Sequence, residues 1–464
     1  MTLTLTVPPR TDADRLTGLP VAVIGAGPVG LAAAAHLLER GLDVVVYEAG
    51  PTVGTSVRAW GHTRLFSPWQ YVIDPAAQRL LEATGWEAPR ASSLPTGQDL
   101  VDTYLAPLAA TPQLAPVIHY GTRVEALSRQ GMDRTRSTGR ADTPFLLRLH
   151  TADGAQDVTA RAVVDTSGTY TSPNPLTAAG LAPAEDLGDR VVHALPDVLG
   201  ADRARFTGKR VLVVGAGHSA ANTLIKLASL AKNVPGTTLL WAVRNAGTAR
   251  LGADAADGLA ARGQLGSTVH GLVESGEVQQ IASFEIDDVR PDGDQVTVTG
   301  RRAGEPFAVT VDVIVNATGF RPDLDMLREI RLGLDVIVEA PRALAPLIDP
   351  NLHSCGSVPP HGVAELAHPE PNFFIAGMKS YGRAPTFLLL TGYEQVRSIA
   401  AELAGDHQAA RDVQLVLPET GVCSTGVGGS SSCDVPAATD QAASDSSCCA
   451  TPAPAVPSSS CCTN

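Results

Sequence analysis

Three glycines near the start of the chain have the spacing of a phosphate-binding turn. They are Gly25, Gly27 and Gly30 in residues 19–50, LPVAVIGAGPVGLAAAAHLLERGLDVVVYEAG. In the dinucleotide fingerprint the first glycine makes a tight turn, the second admits a pyrophosphate and the third allows close helix–strand packing. Glu48, further along the same segment, is placed to accept hydrogen bonds from a ribose. The pattern therefore predicts a dinucleotide site.

A second glycine turn occurs in residues 209–245, KRVLVVGAGHSAANTLIKLASLAKNVPGTTLLWAVRN. Its three fingerprint positions are occupied by Gly215, Gly217 and Ala220. Arg244 stands where the first unit has Glu48, and a guanidinium attracts a 2′-phosphate rather than repelling it. We therefore predict a second nucleotide site that prefers NADPH to NADH. Alternatively, Arg244 is a solvated residue at a strand end and Asn245 bonds a plain ribose.

The cysteines are concentrated at the C-terminus, where six of the seven follow residue 418. Two adjacent pairs are among them: Cys448, Cys449, Cys461 and Cys462. Residues 419–464 contain no Leu, Ile, Phe, Trp, Tyr, Lys or Arg, so we expect this tail to be disordered. Adjacent thiols diverge too much for an easy zinc clamp but suit a soft, thiophilic ion. Capture of such an ion, a redox relay and a functionless extension are the three interpretations.

Ligand-type side chains also gather in residues 351–371, NLHSCGSVPPHGVAELAHPEP. They are His353, Cys355, His361, Glu365 and His368. Such a density on a Pro/Gly-containing loop suggests a substrate pocket. Loop histidines held by ordinary hydrogen bonds are the alternative.

The elements that must position these groups alternate between strands and helices. The apolar run over residues 21–24 suits a parallel strand covered on both faces, and a helix starting near Pro28 directs its N–H groups at phosphates. Two further strands end in small residues, in ARAVVDTSGTY (160–170) and VDVIVNATGFRPD (311–323). Gly319 in the second would let the backbone lie against a bound nucleotide. The predicted fold class is α/β.

Length and charge restrict the function further. A chain of 464 residues predicts two or three domains. The formal net charge of −13, without a long basic block, disfavours nucleic acid and anionic membrane surfaces as partners. The N-terminus lacks the features of a signal peptide, and no run of about 18 apolar residues follows. We expect a cytoplasmic protein whose thiols stay reduced.

Together these motifs resemble the two-dinucleotide-binding-domain flavoproteins, a group that includes flavin-containing monooxygenases and thioredoxin reductases. The resemblance spans residues 19–405. It implies that the first glycine unit binds FAD, that the second binds NADPH, and that the NADPH domain is inserted in the FAD domain. The expected organisation is a flexible leader (1–18), the first part of the FAD domain (19–200), the NAD(P)H domain (201–325), the second part of the FAD domain (326–405), and a linker with a disordered Cys-rich tail (406–464).

The closing FAD segment in this resemblance is NFFIAGMKSYGRAPTFLLLTGYEQVRSIAAEL, residues 372–403. It implies a strand over residues 373–376, then a helix over about 385–403 whose N-terminus near Thr386 faces the flavin. Gly377 is followed by Met378, whereas the disulfide reductases usually have Gly-Asp. This departure leaves the partner of the ribityl chain unidentified.

Residues 61–86, GHTRLFSPWQYVIDPAAQRLLEATGW, resemble the flavin-facing loop and following helix of the monooxygenase branch. Arg64, Ser67 and Trp69 are then candidate neighbours of the flavin ring. Phe66 and Trp69 are alternatively core residues.

The choice of branch depends on an absent motif. Thioredoxin-type reductases pass electrons to a Cys-x-x-Cys pair, and no two cysteines here have that spacing. Reduced flavin is then expected to react with oxygen. The monooxygenase fingerprint FxGxxxHxxx(F/Y) is matched only loosely by LGDRVVHALPDV (187–198), because Gly188 and His193 are one residue too far apart.

The whole chain, including KSYGRAPTFLLLTGYEQVRS (379–398), is similar to the flavoprotein monooxygenases found with arsenic-resistance systems. The expected function is an FAD- and NADPH-dependent monooxygenase that oxidises a soft nucleophile such as a trivalent arsenical through a flavin hydroperoxide. Its partner would be this small molecule, a homodimer stays open, and no catalytic residue is assigned. The alternatives are a flavin-linked disulfide or metal-ion reductase that uses the C-terminal cysteine pairs, and a metalloid-binding or redox-sensing flavoprotein without significant turnover.

Overall fold

The structure is a computed structural model that describes residues 15–245, 260–349, 358–384 and 387–415. Its strands, in chain order, are β1 (Val21–Ile24), β2 (Val44–Tyr47), β3 (Ile118–His119), β4 (Arg123–Arg129), β5 (Phe145–Thr151), β6 (Gly154–Ala160), β7 (Ala162–Asp165), β8 (Val191–His193), β9 (Arg210–Val214), β10 (Thr238–Ala242), β11 (Gln279–Ile281), β12 (Phe284–Asp292), β13 (Gln295–Arg302), β14 (Glu305–Val311), β15 (Val313–Asn316) and β16 (Phe373–Ile375).

The α-helices are α1 (Pro28–Glu39), α2 (Thr55–Arg58), α3 (Pro75–Glu82), α4 (Gly97–Asp99), α5 (Ala106–Ala109), α6 (Arg203–Phe206), α7 (His218–Asn233), α8 (Ala260–Glu274), α9 (Ala345–Ile348), α10 (Val363–Leu366), α11 (Leu389–Leu403) and α12 (His407–Arg411). A π-helical turn spans Leu100–Leu105, and a 3₁₀ turn spans Gly377–Tyr381 directly after β16. No helix among the described residues is long and apolar enough to cross a membrane.

The first sheet has the strand order β16-β7-β1-β2-β3, and each of its strand pairs is parallel. All four residues of β1 are buried, because this strand is central and both of its faces are covered. From β1 the chain goes to β2 on one side and later to β7 on the other. The strand order therefore reverses between β1 and β7, which is where open α/β sheets bind ligands, beyond the carboxyl ends of the strands.

The second sheet has the order β11-β10-β9-β15-β8, and its strand pairs are also parallel. Its order reverses between β9 and β15, so it has a switch point of its own. All its strands come after β7 and before β16, so the second domain is inserted in the first. β8 already pairs with β15, although it precedes the predicted domain boundary after residue 200.

Each parallel sheet is covered by helices on one face and by a three-stranded antiparallel sheet on the other. On β1, Val21 and Val23 join the core formed with α1 and α11, whereas Ala22 and Ile24 join the core formed with β4–β6. The second sheet packs in the same way between α7 and α8 on one side and β12–β14 on the other. The predicted fold of two Rossmann-like domains, one inserted in the other, is confirmed.

The observed element limits differ from the predicted ones in the C-terminal part. β16 ends at Ile375, and α11 begins at Leu389 instead of near residue 385. Part of the expected linker is folded, because α12 packs on α11: the Arg397 guanidinium donates to the Ala409 carbonyl at 2.9 Å. The predicted flavin-facing residue Thr386 lies outside the described residues.

Candidate functional site

The first glycine turn has the shape that its sequence predicts. Gly25 has φ +100°, a conformation that favours glycine. A Cβ on Gly30 would overlap the carbonyl oxygen of Gly25, so the third glycine permits the close contact between helix and strand. A Cβ on Gly27 would meet no heavy atom within 4 Å, so the space above this residue is open. Gly27 caps α1 without a side-chain hydrogen bond, and the first turn of α1 has no acidic residue. These features fit a pyrophosphate at the helix N-terminus.

Glu48 follows β2 and holds this turn from the side. Its carboxylate accepts hydrogen bonds from the backbone N–H groups of Ala26 and Gly50, both at 2.7 Å. Each carboxylate oxygen keeps a second lone-pair direction for a further donor. The structure thus gives Glu48 a role in bracing the turn, and it leaves acceptor capacity for a ribose hydroxyl.

The carboxyl ends of β7 and β16 carry a charged cluster beside this turn. The Lys379 ammonium donates to Asp165 Oδ2 at 2.7 Å and to Ser167 Oγ at 3.1 Å. Thr166, between Asp165 and Ser167, donates its hydroxyl to the Ile24 carbonyl at 2.8 Å. The sequence motifs described above do not predict this cluster. The sequence features that could have indicated the cluster are an aspartate at the end of an apolar strand and a lysine in an apolar segment.

Gly377 begins the turn after β16 and is held by a buried hydrogen-bond network. Its N–H donates to Gln395 Oε1 on α11 at 2.8 Å, and its carbonyl accepts from the Ser380 hydroxyl at 2.7 Å. The Gln395 amide is 2.9 Å from His361 Nε2. Because His361 Nδ1 donates to the Pro359 carbonyl, its Nε2 is the acceptor for Gln395. Burial lowers the pKa of His361, which keeps the ring neutral in this role.

The second glycine turn repeats the design of the first. Gly215 has φ +130°, and a Cβ there would overlap the carbonyl oxygen of Ala317 at the end of β15. Gly217 caps α7 without a side-chain hydrogen bond, and a Cβ on it would meet nothing within 4 Å. Ala220 is fully buried on α7. This turn also fits a pyrophosphate at the start of its helix.

Two other predicted nucleotide contacts lie around this second switch point. Arg244 is exposed two residues after the end of β10, where its guanidinium is free to meet an anionic ligand. Gly319 has φ +95° just beyond β15, and its carbonyl accepts from the Asn174 N–H at 2.9 Å. Both residues therefore lie beyond the carboxyl ends of strands of the second sheet.

The segment that contains Arg64 contacts both domains. The Phe66 ring packs on His218 at the start of α7, with ring centroids 5.3 Å apart. Trp69 is 5% exposed in the core of the first domain, as the alternative interpretation had it. Arg64 itself is exposed and donates to the Leu94 carbonyl at 2.8 Å, while Ser67 is half-buried.

The predicted histidine cluster does not form a common site in the part of the chain that the structure describes. Glu365 accepts from the Gly362 N–H and caps α10, and His361 supports Gln395. His368 Nδ1 accepts from the Gly333 N–H at 3.2 Å, and burial lowers the pKa of His368 to about 4. His353 and Cys355 lie outside the described residues. Within the described ranges, no group of three His, Cys, Asp or Glu side chains could hold a metal ion.

The predicted thiol site at Cys448, Cys449, Cys461 and Cys462 also falls outside the described residues. The same holds for the other three cysteines, so binding by thiols stays a prediction from the sequence.

Comparisons with known proteins agree with this architecture. The sequence profile of the family described as pyridine nucleotide-disulphide oxidoreductase matches residues 22–351. A ferredoxin–NADP reductase of Salinispora tropica is 30% identical over 320 residues, covering 68% of this chain and 78% of that protein.

Two solved structures share the fold at low sequence identity. The bacillithiol disulfide reductase of Bacillus cereus superimposes with a TM-score of 0.62 at 19% identity, covering 83% of this chain and 99% of that chain. The desferrioxamine-pathway cadaverine monooxygenase of Erwinia amylovora, solved with FAD, superimposes with a TM-score of 0.61 at 15% identity, covering 87% and 98%.

Proposed function

The chain belongs to the pyridine nucleotide-disulphide oxidoreductase family, and from this premise we propose that it is an NADPH-dependent flavoprotein monooxygenase. It is a flavin-dependent oxidoreductase that uses FAD and NADP(H). The chemistry that FAD would supply when bound is acceptance of a hydride from NADPH and transfer of the electrons to oxygen.

The residues of the two switch points fit these cofactors. Gly25, Gly27 and Gly30 would hold the FAD pyrophosphate on α1, with Glu48 at the ribose and Gly377 near the flavin. The NADPH pyrophosphate would lie on α7, held by Gly215, Gly217 and Ala220, with Gly319 against the nucleotide. Arg244 would bind the 2′-phosphate. In each unit the uncapped helix N-terminus and the open space at the second glycine support this assignment.

The protein's own part in the reaction is to bring the two cofactors together and to exclude water. Phe66 belongs to the first domain and packs on the start of α7 in the second. The segment that carries it can therefore fix the boundary between the two cofactor sites. Nearby, Lys226 on α7 contacts the His62 carbonyl at 3.5 Å, and burial lowers the pKa of Lys226. A partly buried boundary of this kind supports transfer of electrons away from bulk solvent.

The observation that carries the monooxygenase proposal is the number of cysteines that precede residue 423 in the sequence. Residues 1–422 contain one cysteine, Cys355, so this part of the chain has no dithiol that could take electrons from a reduced flavin. Oxygen is then the acceptor that requires no further group from the protein. The fold that the chain shares with a cadaverine monooxygenase is consistent with this chemistry.

We propose a lone-pair nucleophile as the substrate class, with a trivalent arsenical as the specific candidate. The support is the set of paired cysteines at the C-terminus, whose thiols would concentrate a thiophilic element near the enzyme. An amine is the alternative suggested by the cadaverine monooxygenase of the same fold.

A reductase is the second candidate, because the 30% identical relative is a ferredoxin–NADP reductase. The net charge of −13 works against long-range attraction of an acidic electron-carrier protein. The C-terminal cysteine pairs could alternatively serve as an internal disulfide acceptor. A flavoprotein that binds a metalloid or senses redox state without turnover is the third candidate.

Oxygen and NADPH consumption separate these functions. The purified holoenzyme is mixed with NADPH and, in turn, arsenite, methylarsenite, cadaverine and a thiol, in air and without oxygen. A second anaerobic series contains ferredoxin or a disulfide as the electron acceptor. Substrate-dependent consumption of both reactants in equal amounts, with little hydrogen peroxide, is the expected result. Anaerobic NADPH oxidation that reduces ferredoxin or a disulfide would replace the proposal by the reductase function, and no consumption with any acceptor would favour the third candidate.

A further inference from the structure

A buried ion pair lies at the carboxyl edge of the first sheet, and none of the roles above explains it. The Lys379 and Asp165 side chains are 1% and 0% exposed, and Nζ is 2.7 Å from Oδ2. The Ser167 hydroxyl donates to Asp165 Oδ1 at 2.7 Å, so all three side chains form one connected cluster.

The cluster borders the switch point that fits the FAD pyrophosphate. Asp165 is the last residue of β7, which pairs with β1, and Lys379 follows β16, which pairs with β7. The adjacent Thr166 contacts the Gly25 turn directly, because its hydroxyl lies 3.3 Å from the Gly25 carbonyl oxygen. A charge held here acts on a ligand bound beyond the carboxyl ends of these strands.

The second domain provides an internal comparison. β7 and β15 end in the related sequences DTSG and NATG, so Asn316 stands where Asp165 does and Thr318 where Ser167 does. The Thr318 hydroxyl donates to Asn316 Oδ1 at 2.7 Å, the distance of the corresponding bond in the first domain. The neutral amide of Asn316 therefore supports the same turn after β15 that the carboxylate of Asp165 supports after β7. The negative charge of Asp165 is not needed for the turn, and its counterpart is the ammonium of Lys379.

A buried lysine needs an explanation because its desolvation costs several kcal/mol, which a well-packed apolar side chain would avoid. Its ammonium has three N–H bonds, and the described residues supply acceptors for two of them, Asp165 and Ser167. A further titratable neighbour is His368, whose pKa burial lowers to about 4 although the charge of Asp165 raises it, so its ring is neutral.

We propose that Lys379 is the charge-tuning residue of the flavin site, and that Asp165 balances it while the flavin is oxidised. This rests on the proposed binding of FAD at the first glycine unit. Flavin gains negative charge on reduction, and a nearby ammonium stabilises that form. The pair is neutral overall, so it adds no excess charge beside the oxidised cofactor, and its ammonium would favour the negative charge of the reduced form.

Reduction potentials of the bound flavin test this inference without reference to turnover. They are measured spectroscopically against a reference dye, at one fixed pH for all variants. We expect Asp165→Asn to raise the potential and Lys379→Met to lower it. Each should change the affinity ratio of reduced to oxidised FAD at least tenfold, which is about 30 mV for a two-electron couple. Lys379→Arg should stay near the wild-type value.

Removing one partner leaves a buried charge, and either single variant can fail to fold for that reason. The double variant Lys379→Met/Asp165→Asn removes both charges, and we expect it to fold and to lie between the two single variants in potential. Potentials that shift in the same direction in both single variants would overturn the inference. So would two folded single variants that both keep the wild-type potential. If the wild-type protein binds no FAD, the proposed function fails instead.

Discussion

At the scale of single residues, the glycines of one turn have different tasks. Gly30 is required by the fold, because a Cβ there would overlap the Gly25 carbonyl oxygen. Gly27 is not required by packing, since a Cβ there would meet no protein atom within 4 Å and its backbone is extended. A side chain at position 27 therefore occupies only the space assigned to the ligand.

This difference gives a prediction for Gly27→Val. The variant should fold with a melting temperature close to that of the wild-type apoprotein but should be purified without the yellow colour of bound FAD. Gly30→Ala is the control, because it should lower the stability of the apoprotein itself. Full FAD occupancy in Gly27→Val would remove the assignment of the first site.

Arg244 is the residue that we expect to select NADPH. In Arg244→Ala the Michaelis constant for NADPH should rise about tenfold or more, because a charge-assisted hydrogen bond is worth about 1.5–3 kcal/mol. The constant for NADH should hardly change. Asn245→Ala is the matched control, since loss of a ribose contact would affect both nucleotides alike. Equal effects of Arg244→Ala on the two nucleotides would contradict the assignment.

His368 makes the folded state sensitive to acid. Its pKa is about 4 in the folded protein because the ring is buried, whereas an unfolded histidine has a pKa of 6.5. Above that value both states are neutral; below it the unfolded state takes up a proton first, so stability is lost as the pH falls from 6.5 to 4. The expected loss is about 3 kcal/mol.

The measurement is urea unfolding of His368→Asn and the wild type at several pH values in this window. Asparagine keeps an acceptor for the Gly333 N–H, so the variant should lose less stability on acidification than the wild type does. The control variant is His150→Asn, at an exposed position of β5. Its loss of stability as the pH falls should match that of the wild type. Parallel curves for all three proteins would show that His368 does not titrate as expected.

At the scale of elements, α11 is tied to the turn after β16 by Gln395. This side chain is fully buried and bonds Gly377, Ser380 and His361. The contact transmits the position of a long, well-packed helix to the short segment that carries Lys379. Tertiary contacts of this kind also decide where helices form. The segment that packs on α11 forms the helix α12, although the sequence alone predicted a linker there.

Gln395→Leu tests this connection. The variant leaves the buried Gly377 N–H and His361 Nε2 without partners, so the free energy of unfolding should fall by roughly 2–4 kcal/mol. FAD affinity should fall as well, because the Gly377 turn is no longer held. Gln408→Leu on the exposed face of α12 is the control and should be nearly neutral. A wild-type FAD affinity in a destabilised Gln395→Leu protein would separate the turn from the cofactor site.

At the scale of the whole molecule, two domains of the same design each present a switch point. The chain between Arg64 and Trp69 belongs to the first domain and packs through Phe66 on the second. We therefore expect electron transfer from one nucleotide to the other to depend on this boundary as well as on either site. The C-terminal cysteines lie outside the described residues.

A chain that ends after Pro418 tests the role of these cysteines. It keeps every described residue, so we expect it to fold, to bind FAD and to turn over normally at saturating substrate. If the thiols capture a trivalent arsenical, turnover should fall only at low arsenical concentration, because a tether raises the local concentration of bound ligand. Arsenite should also protect Cys448, Cys449, Cys461 and Cys462 from alkylation in the full chain. Loss of turnover at every concentration would indicate an electron relay instead, and unchanged kinetics without protection would leave the extension without a role.

The insertion of one domain in the other was implied by the family resemblance, whereas the sequence by itself determined the α/β class and both glycine turns. These features depend on local rules: buried parallel strands are uniformly apolar, and phosphate-binding turns need glycine at fixed spacing. Only the tertiary structure decided that His361 and His368 are buried supports and that Asp165 and Lys379 are partners. Asp165 and Lys379 are 214 positions apart in the chain, and the pairing of β7 with β16 brings them together. Because side-chain pairing of this kind depends on which strands become neighbours, no local pattern records it.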